Sequence, residues 1–190
     1  MELNENKQYK GHFYLKLFKK NVLTVYRHFL FSVDLMAQDS FCEKDGLNIV
    51  ELNDDILDRC NNSYFCVGEI KENLKKDNCS GFALLDGPSV IGYVTFCFPP
   101  FKTSQYRIVH CDCYIENIWI DSNRRGNHLS IYLFNYCFDH LLKKGFKNVL
   151  FVVRRNNIPM LKTIKHIKAN FVKKLCSIRF CGLRIWCPKI

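Results

Sequence analysis

Three observations predict an α+β fold built as one main domain. Short β-rich runs and helix-like segments follow one another along most of the chain. An Asp-Gly pair, Asp86-Gly87, stands between two apolar runs, which is a hairpin signal. An apolar run ending at Ile120 passes through a polar turn into a second apolar segment, 129–142, that has the length of a helix. At 190 residues the chain can bury a proper core. No repeat, low-complexity tract or interdomain linker interrupts it.

Taken in order, the elements are these. Apolar runs at 13–18 and 22–33 flank Lys19-Lys20-Asn21 and predict an amino-terminal β-hairpin, in an extension (1–46) packed on the domain that follows (47–190). A short strand is expected at 49–52, with helix-like segments at 54–60 and 70–76. Strands at 81–85 and 90–98 should pair across Asp86-Gly87-Pro88, where the proline argues for a loop longer than two residues. The helix at 129–142 ends on Lys143-Lys144-Gly145, two cations in the last turn and a glycine at the stop position. Asn148 to Val153 reads as a buried strand. Pro159 sits where a first helical turn accepts it, opening a helix to about Lys168. Two last strands, 171–180 and 183–187, pivot on Gly182.

The most informative stretch runs from Ile115 to Ser130. A strand that turns into a helix through Arg125-Gly126-Asn127 leaves backbone N–H groups at the helix start without partners. Their partial positive charge suits phosphate. This stretch resembles the acyl-coenzyme A site of the GNAT superfamily of N-acyltransferases. The family pattern is Leu-Glu-x-Leu-x-Val-x-Pro-x-Tyr, then Arg/Gln-x-x-Gly-x-Gly/Ala. Glu116, Ile118 and Ile120 fill the Glu and aliphatic positions, and Arg125 the Arg/Gln position. Ser122 and Arg124 replace the Pro and Tyr, and His128 and Ser130 replace the two glycines, leaving Gly126 as the glycine of the turn. Further on, Asn156-Asn157-Ile158-Pro159 is similar to the family's Asn-x-x-Ser/Ala element, and Asn170-Phe171 stands where Gly-Phe is usual.

The resemblance covers about residues 47–187. It implies a mixed, mostly antiparallel sheet of six to seven strands flanked by helices, with the amino-terminal hairpin as an addition. It implies transfer of an acetyl or other short acyl group from acyl-coenzyme A to a primary amine, by direct attack with no acyl-enzyme. The implied cofactor contacts are Ile118, Trp119, Ile120, Arg125, Gly126, Asn127, His128, Leu129, Ser130 and Asn157. Ile118 and Ile120 would offer backbone to the pantetheine, and Asn157 a side chain.

Two residues are the catalytic candidates. Glu116, at the family's Glu position, suits a general base, since a carboxylate among apolar neighbours has a raised pKa. Strand alternation puts it on one face with Ile118 and Ile120. A paired structural carboxylate is the alternative. His166 lies five residues before Phe171, where the family carries the tyrosine that protonates the thiolate. An imidazolium can do the same, though a surface histidine on a Lys-rich helix is the commoner explanation. Tyr114, Tyr132 and Tyr136 are further candidates. His128 touches phosphate with its ring or contributes its N–H alone.

Charge is uneven. Residues 1–95 hold 11 Lys/Arg and 14 Asp/Glu, whereas residues 96–190 hold 17 and 4, and no acidic residue follows Asp139. Such a field favours a polyanion: coenzyme A, an acidic carrier protein or, less well, nucleic acid. A catalytically weakened module that binds coenzyme A or nucleic acid through this basic half is therefore the alternative to an enzyme. The segment 161–174 reads as a basic amphipathic helix whose Leu161, Ile164, Ile167 and Phe171 face the core, in preference to a membrane. The first twenty residues show no secretory signal, no apolar run reaches membrane length, and the eleven cysteines read as reduced core thiols. The expectation is a cytoplasmic monomer or homodimer. His110-Cys111-Asp112-Cys113 lacks a second ligand pair, so no metal is expected.

Overall fold

A computed structural model describes residues 23–60, 67–100, 111–180 and 183–186. Eight strands form one sheet: β1 (Leu23–Asp34), β2 (Leu47–Glu51), β3 (Cys79–Asp86), β4 (Ser89–Cys97), β5 (Cys113–Ile120), β6 (Asn148–Arg154), β7 (Asn170–Phe180) and β8 (Leu183–Trp186). Their spatial order is β2-β3-β4-β5-β6-β1-β7-β8. Every neighbouring pair is antiparallel except β5 and β6, which run parallel. Among the described residues four helices flank the sheet: α1 (Asp54–Asp58), α2 (Val67–Leu74), α3 (Leu129–Lys143) and α4 (Ile158–His166). This is the mixed α+β architecture the sequence predicts.

Strand alternation divides the core in two. On one face Phe82, Leu84, Ile91, Val94, Phe96 and Ile115 pack under α3 and α4. On the other, Ala83, Val90, Tyr93 and Trp119 pack under α1 and α2. Helix α3 carries most of the first contact because Leu129, Tyr132, Leu133, Phe134, Cys137, Phe138 and Leu141 are all buried. It stops where Gly145 takes φ +87°, a conformation other side chains resist. Among the described residues no helix is long and apolar enough to cross a membrane.

The amino-terminal segment is more integral than an appendage. Its second expected hairpin arm is β1, which lies inside the sheet, paired to β6 on one edge and β7 on the other. The first arm, 13–18, lies outside the described residues.

Two local expectations are corrected. Asp86 pairs with Ser89, so the β3–β4 loop is two residues after all. Gly87 supplies the positive φ (+55°) at the first position, leaving Pro88 at the second, where its fixed negative φ fits. The helix opened by Pro159 ends at His166, close to the expected Lys168 and followed by the expected strand, so the reading of 161–174 as one amphipathic helix is overturned. Lys168 turns left-handed (φ 48°), and Asn170 begins a strand by pairing with Ser32 of β1. Ile164 and Ile167 do face the core, but Phe171 lies on the strand, 54% exposed, with its ring against Phe29 and Phe31.

Candidate active site

The parallel contact between β5 and β6 is short. It joins Cys113, Tyr114 and Ile115 to Val149, Leu150 and Phe151, and goes no further. Strand β6 continues to Arg154 along β1, and β5 continues to Ile120 along β4, so the two diverge after Ile115. Along the diverging half, Asp121 N–H donates to the Ile91 carbonyl. Antiparallel bonding alternates, so Asn117 and Trp119 bond toward β4 while Ile118 and Ile120 turn their N–H and C=O groups to the opposite edge, facing the gap. The Arg125 Nε, which donates to the Ile120 carbonyl at 3.0 Å, agrees with that direction.

Glu116 sits where the divergence starts. Thr95 of β4 pairs with Asn117 and Phe96 pairs with Ile115, so Glu116 is the extra residue of a β-bulge. The bulge overturns the simple alternation read from sequence. Ile118 and Ile120 pack with the α3/α4 core, whereas Glu116 is turned to the α1/α2 side, where Asn73 of α2 donates to its Oε2 at 3.0 Å. Lys76 in turn donates to the Asn73 Oδ1. The carboxylate lines a cavity of about 400 Å³ with Asn73, Lys76, Asp77, Cys79 and Cys97. Burial pushes its pKa above the ordinary carboxylate range, and hydrogen bonds from Cys97 and Asn73 offset part of the shift. Asn73, Cys79 and Cys97 carry no signal in the sequence. They are far from Glu116 along the chain and meet it only through the sheet.

The turn after β5 is built differently. Asp121 caps a short 3-10 turn, Ser122–Arg124, by accepting from Asn123 N–H at 2.9 Å. Arg124 pairs with Asp86 at 2.7 Å. Gly126 (φ +88°) and His128 (φ 57°) are both left-handed, and His128 caps α3 without a side-chain hydrogen bond. The first N–H groups of this fifteen-residue helix therefore have no side-chain cap, and exposed Asn127 reaches back to the Arg124 carbonyl. His128 holds, as a non-glycine, the conformation that glycine accepts most cheaply.

The remaining candidates divide between this turn and the interior. Leu129 is buried in the larger core, and Ser130 Oγ lies 3.2 Å from Thr163 Oγ1 of α4. Trp119 is buried and stacked on Tyr93 at 5.4 Å between ring centroids, and its backbone groups bond toward β4. Asn157 caps α4, its Oδ1 accepting from Met160 N–H at 3.3 Å. His166 stands with its ring 5.7 Å from that of His128. The two catalytic candidates thus occupy different neighbourhoods: Glu116 with the cavity, His166 with the turn. Of the tyrosines, Tyr132 accepts from the Lys44 N–H, Tyr136 packs on Phe41 and Phe82, and Tyr114 is buried.

Comparison with known proteins follows this geometry. The family model described as "Acetyltransferase (GNAT) family" matches residues 49–166. No curated protein sequence matches the chain. Among solved structures, a Drosophila melanogaster protein shares 8% identity at a TM-score of 0.61, over 92% of this chain and 58% of its own. A tandem GNAT protein from the clavulanic acid biosynthesis pathway shares 11% at 0.61, over 90% and 59%. An aminoglycoside acetyltransferase from an uncultured soil metagenomic sample shares 17% at 0.50, over 66% and 89%. At such identities the likeness is one of fold. The chain spans a little under three fifths of the length of the first two neighbours.

Proposed function

Because this chain belongs to the acetyltransferase (GNAT) family, we propose that it moves an acetyl or other short acyl group from acyl-coenzyme A to a primary amine of a small molecule. The observation that carries the reading is the coincidence at one point of β5. The strand loses its β6 neighbour after Ile115, and the next residue is a bulged carboxylate turned into a cavity.

The residues fit coenzyme A. Uncapped N–H groups of Asn127 to Ser130 at the start of α3 suit the pyrophosphate, with Arg125 beside them and Gly126 shaping the turn. The backbone groups of Ile118 and Ile120 face the gap as a strand-like partner for pantetheine amides, while those of Trp119 between them bond toward β4. Asn157 supplies its amide nitrogen, since its oxygen is committed to the helix cap. The thioester supplies the activated acyl group; the chain supplies position and proton transfer.

Glu116 accepts the proton of the attacking amine. Its raised pKa makes it a stronger base than a surface carboxylate while leaving it ionised above that pKa. Asn73, hydrogen-bonded to Oε2, fixes its direction. His166 is assigned the proton that the leaving thiolate takes up. Its ring lies against His128 in the phosphate turn, so a variant separates two roles: lost turnover marks an acid, and a raised KM for acyl-coenzyme A marks a phosphate contact. One observation favours the alternative of a binder without catalysis, namely His128 held left-handed where the family carries glycine, at a cost of about 1–2 kcal/mol.

Thiol release from acetyl-coenzyme A, measured across a panel of polyamines, amino sugars and amino acids, tests the reading. Amine-dependent release supports it. Coenzyme A binding with no release for any amine leaves the binding module.

A further inference from the structure

Cys79 and Cys97 face one another across β3 and β4, with their sulfurs 2.9 Å apart as free thiols. Phe98 N–H donates to the Asn78 carbonyl, which makes Asn78 and Phe98 the hydrogen-bonded pair and Cys79 and Cys97 the adjacent non-hydrogen-bonded one. Non-hydrogen-bonded partners have Cα atoms about 4.5 Å apart, inside the roughly 4.4–6.8 Å that a disulfide spans. Both cysteines line the cavity that holds Glu116. Elsewhere in the described chain Cys113 and Cys137 are fully buried, with no route for an oxidant.

We propose that Cys79 and Cys97 form a reversible disulfide, a modification site that switches the Glu116 cavity according to the supply of peroxide or of a small-molecule disulfide. Cys79 is the attacking member. It is the more exposed of the two; its hydrogen bond with the Cys97 sulfur holds its thiol below the ordinary range, and that bond and burial push Cys97 up. With peroxide, the Cys79 thiolate attacks one oxygen and breaks the O–O bond, giving a sulfenic acid and hydroxide. The Cys97 sulfur then displaces hydroxide from the sulfenic sulfur and forms the S–S bond. The two thiol protons convert both hydroxides to water, so two thiols and one peroxide become one disulfide and two waters. The thiols lose two electrons, and the peroxide gains them.

Closure removes from Glu116 the thiol that hydrogen-bonds it and replaces two polarisable S–H groups in the cavity wall with a rigid bridge. The consequence for turnover rests on Glu116 being the base; formation of the disulfide does not.

The test treats the full-length protein with hydrogen peroxide, then blocks remaining thiols and maps peptides by mass. The expected result is a linked Cys79–Cys97 peptide, lighter by two hydrogens and absent after dithiothreitol. Amine acetylation should fall together with its appearance and return on reduction. Cys79→Ser and Cys79→Ala, each compared with its own untreated rate, should lose that response. Absence of the linked peptide at peroxide levels that oxidise exposed Cys42 overturns the proposal. So does a linked protein that acetylates as fast as the reduced one. A linked peptide in a protein that acetylates no amine under any condition leaves the dithiol site standing and removes the reading of Glu116.

Discussion

From Cys113 to Ile115, β5 is bonded on both edges and buried. From Glu116 onward it is bonded to one neighbour, and Glu116, Asn117, Ile118 and Ile120 are half-buried. The first half is ordinary core, and its residues are accounted for by packing. The second half keeps strand geometry with no strand on its far edge, so the backbone groups of Ile118 and Ile120 are left without a strand to pair with. In the proposed reading the site is made by withdrawing a neighbour, with no specialised loop. The bulge at the border turns one carboxylate away from the larger core and into the cavity.

Glu116→Gln should break the comparison most sharply. Amide and carboxylate are nearly isosteric, and Asn73 can still donate to the amide oxygen. Fold and coenzyme A affinity should persist while turnover falls about a hundredfold or more. In the wild type, activity should rise with pH through a pKa above the ordinary value of about 4.3, because only the ionised form accepts a proton. That acidic limb should vanish in the variant. An intact rate and pH profile with a lowered Tm would make the carboxylate structural.

Arg125→Ala acts at the far end of the open half. A charge-assisted contact is worth about 1.5–3 kcal/mol, which corresponds to a coenzyme A Kd raised roughly ten- to a hundredfold, measured by calorimetry. A fall in turnover at unchanged affinity would contradict the placement. Ile115→Val, in the closed half, should lower stability by about 0.5–1.5 kcal/mol in urea titration and leave turnover per folded molecule unaltered. A loss of turnover there would mean the two halves are not separable. The smallest effect is expected for Asn73→Ala. Its amide favours the charged carboxylate, so removing it should move the acidic limb to higher pH, with a milder loss at neutral pH than Glu116→Gln shows. An unmoved limb would detach Asn73 from the base.

The sequence states the open half well as a string and poorly as a shape. Strand, turn and helix from Ile115 to Lys143 are legible because the apolar pattern changes period across Arg125-Gly126-Asn127. The bulge is not legible, because it exists only in the register between β4 and β5, and it reverses the face on which Glu116 falls. Helix 161–174 is overread for a related reason. Its lysines continue past His166, but pairing of Asn170 and Phe171 with β1 outweighs local helical preference. The proline in Asp86-Gly87-Pro88 misleads only until the glycine is given the first position. Asn73 and the Cys79–Cys97 pair become functional candidates only once three elements are side by side.

The position of β1 has a consequence for how the chain is made. β1 ends at Asp34, and the strands on its two edges begin at Asn148 and Asn170. At roughly 5–20 residues per second of synthesis, a strand reading Val25-Tyr26-Arg27-His28-Phe29-Leu30-Phe31 waits on the order of ten seconds before either partner exists. Contacts so distant in sequence also close slowly once they can form. During that interval the middle of the future sheet is an apolar ribbon with two unbonded edges, the form most prone to pair with another chain. The strand that completes the sheet is thus its greatest hazard during birth.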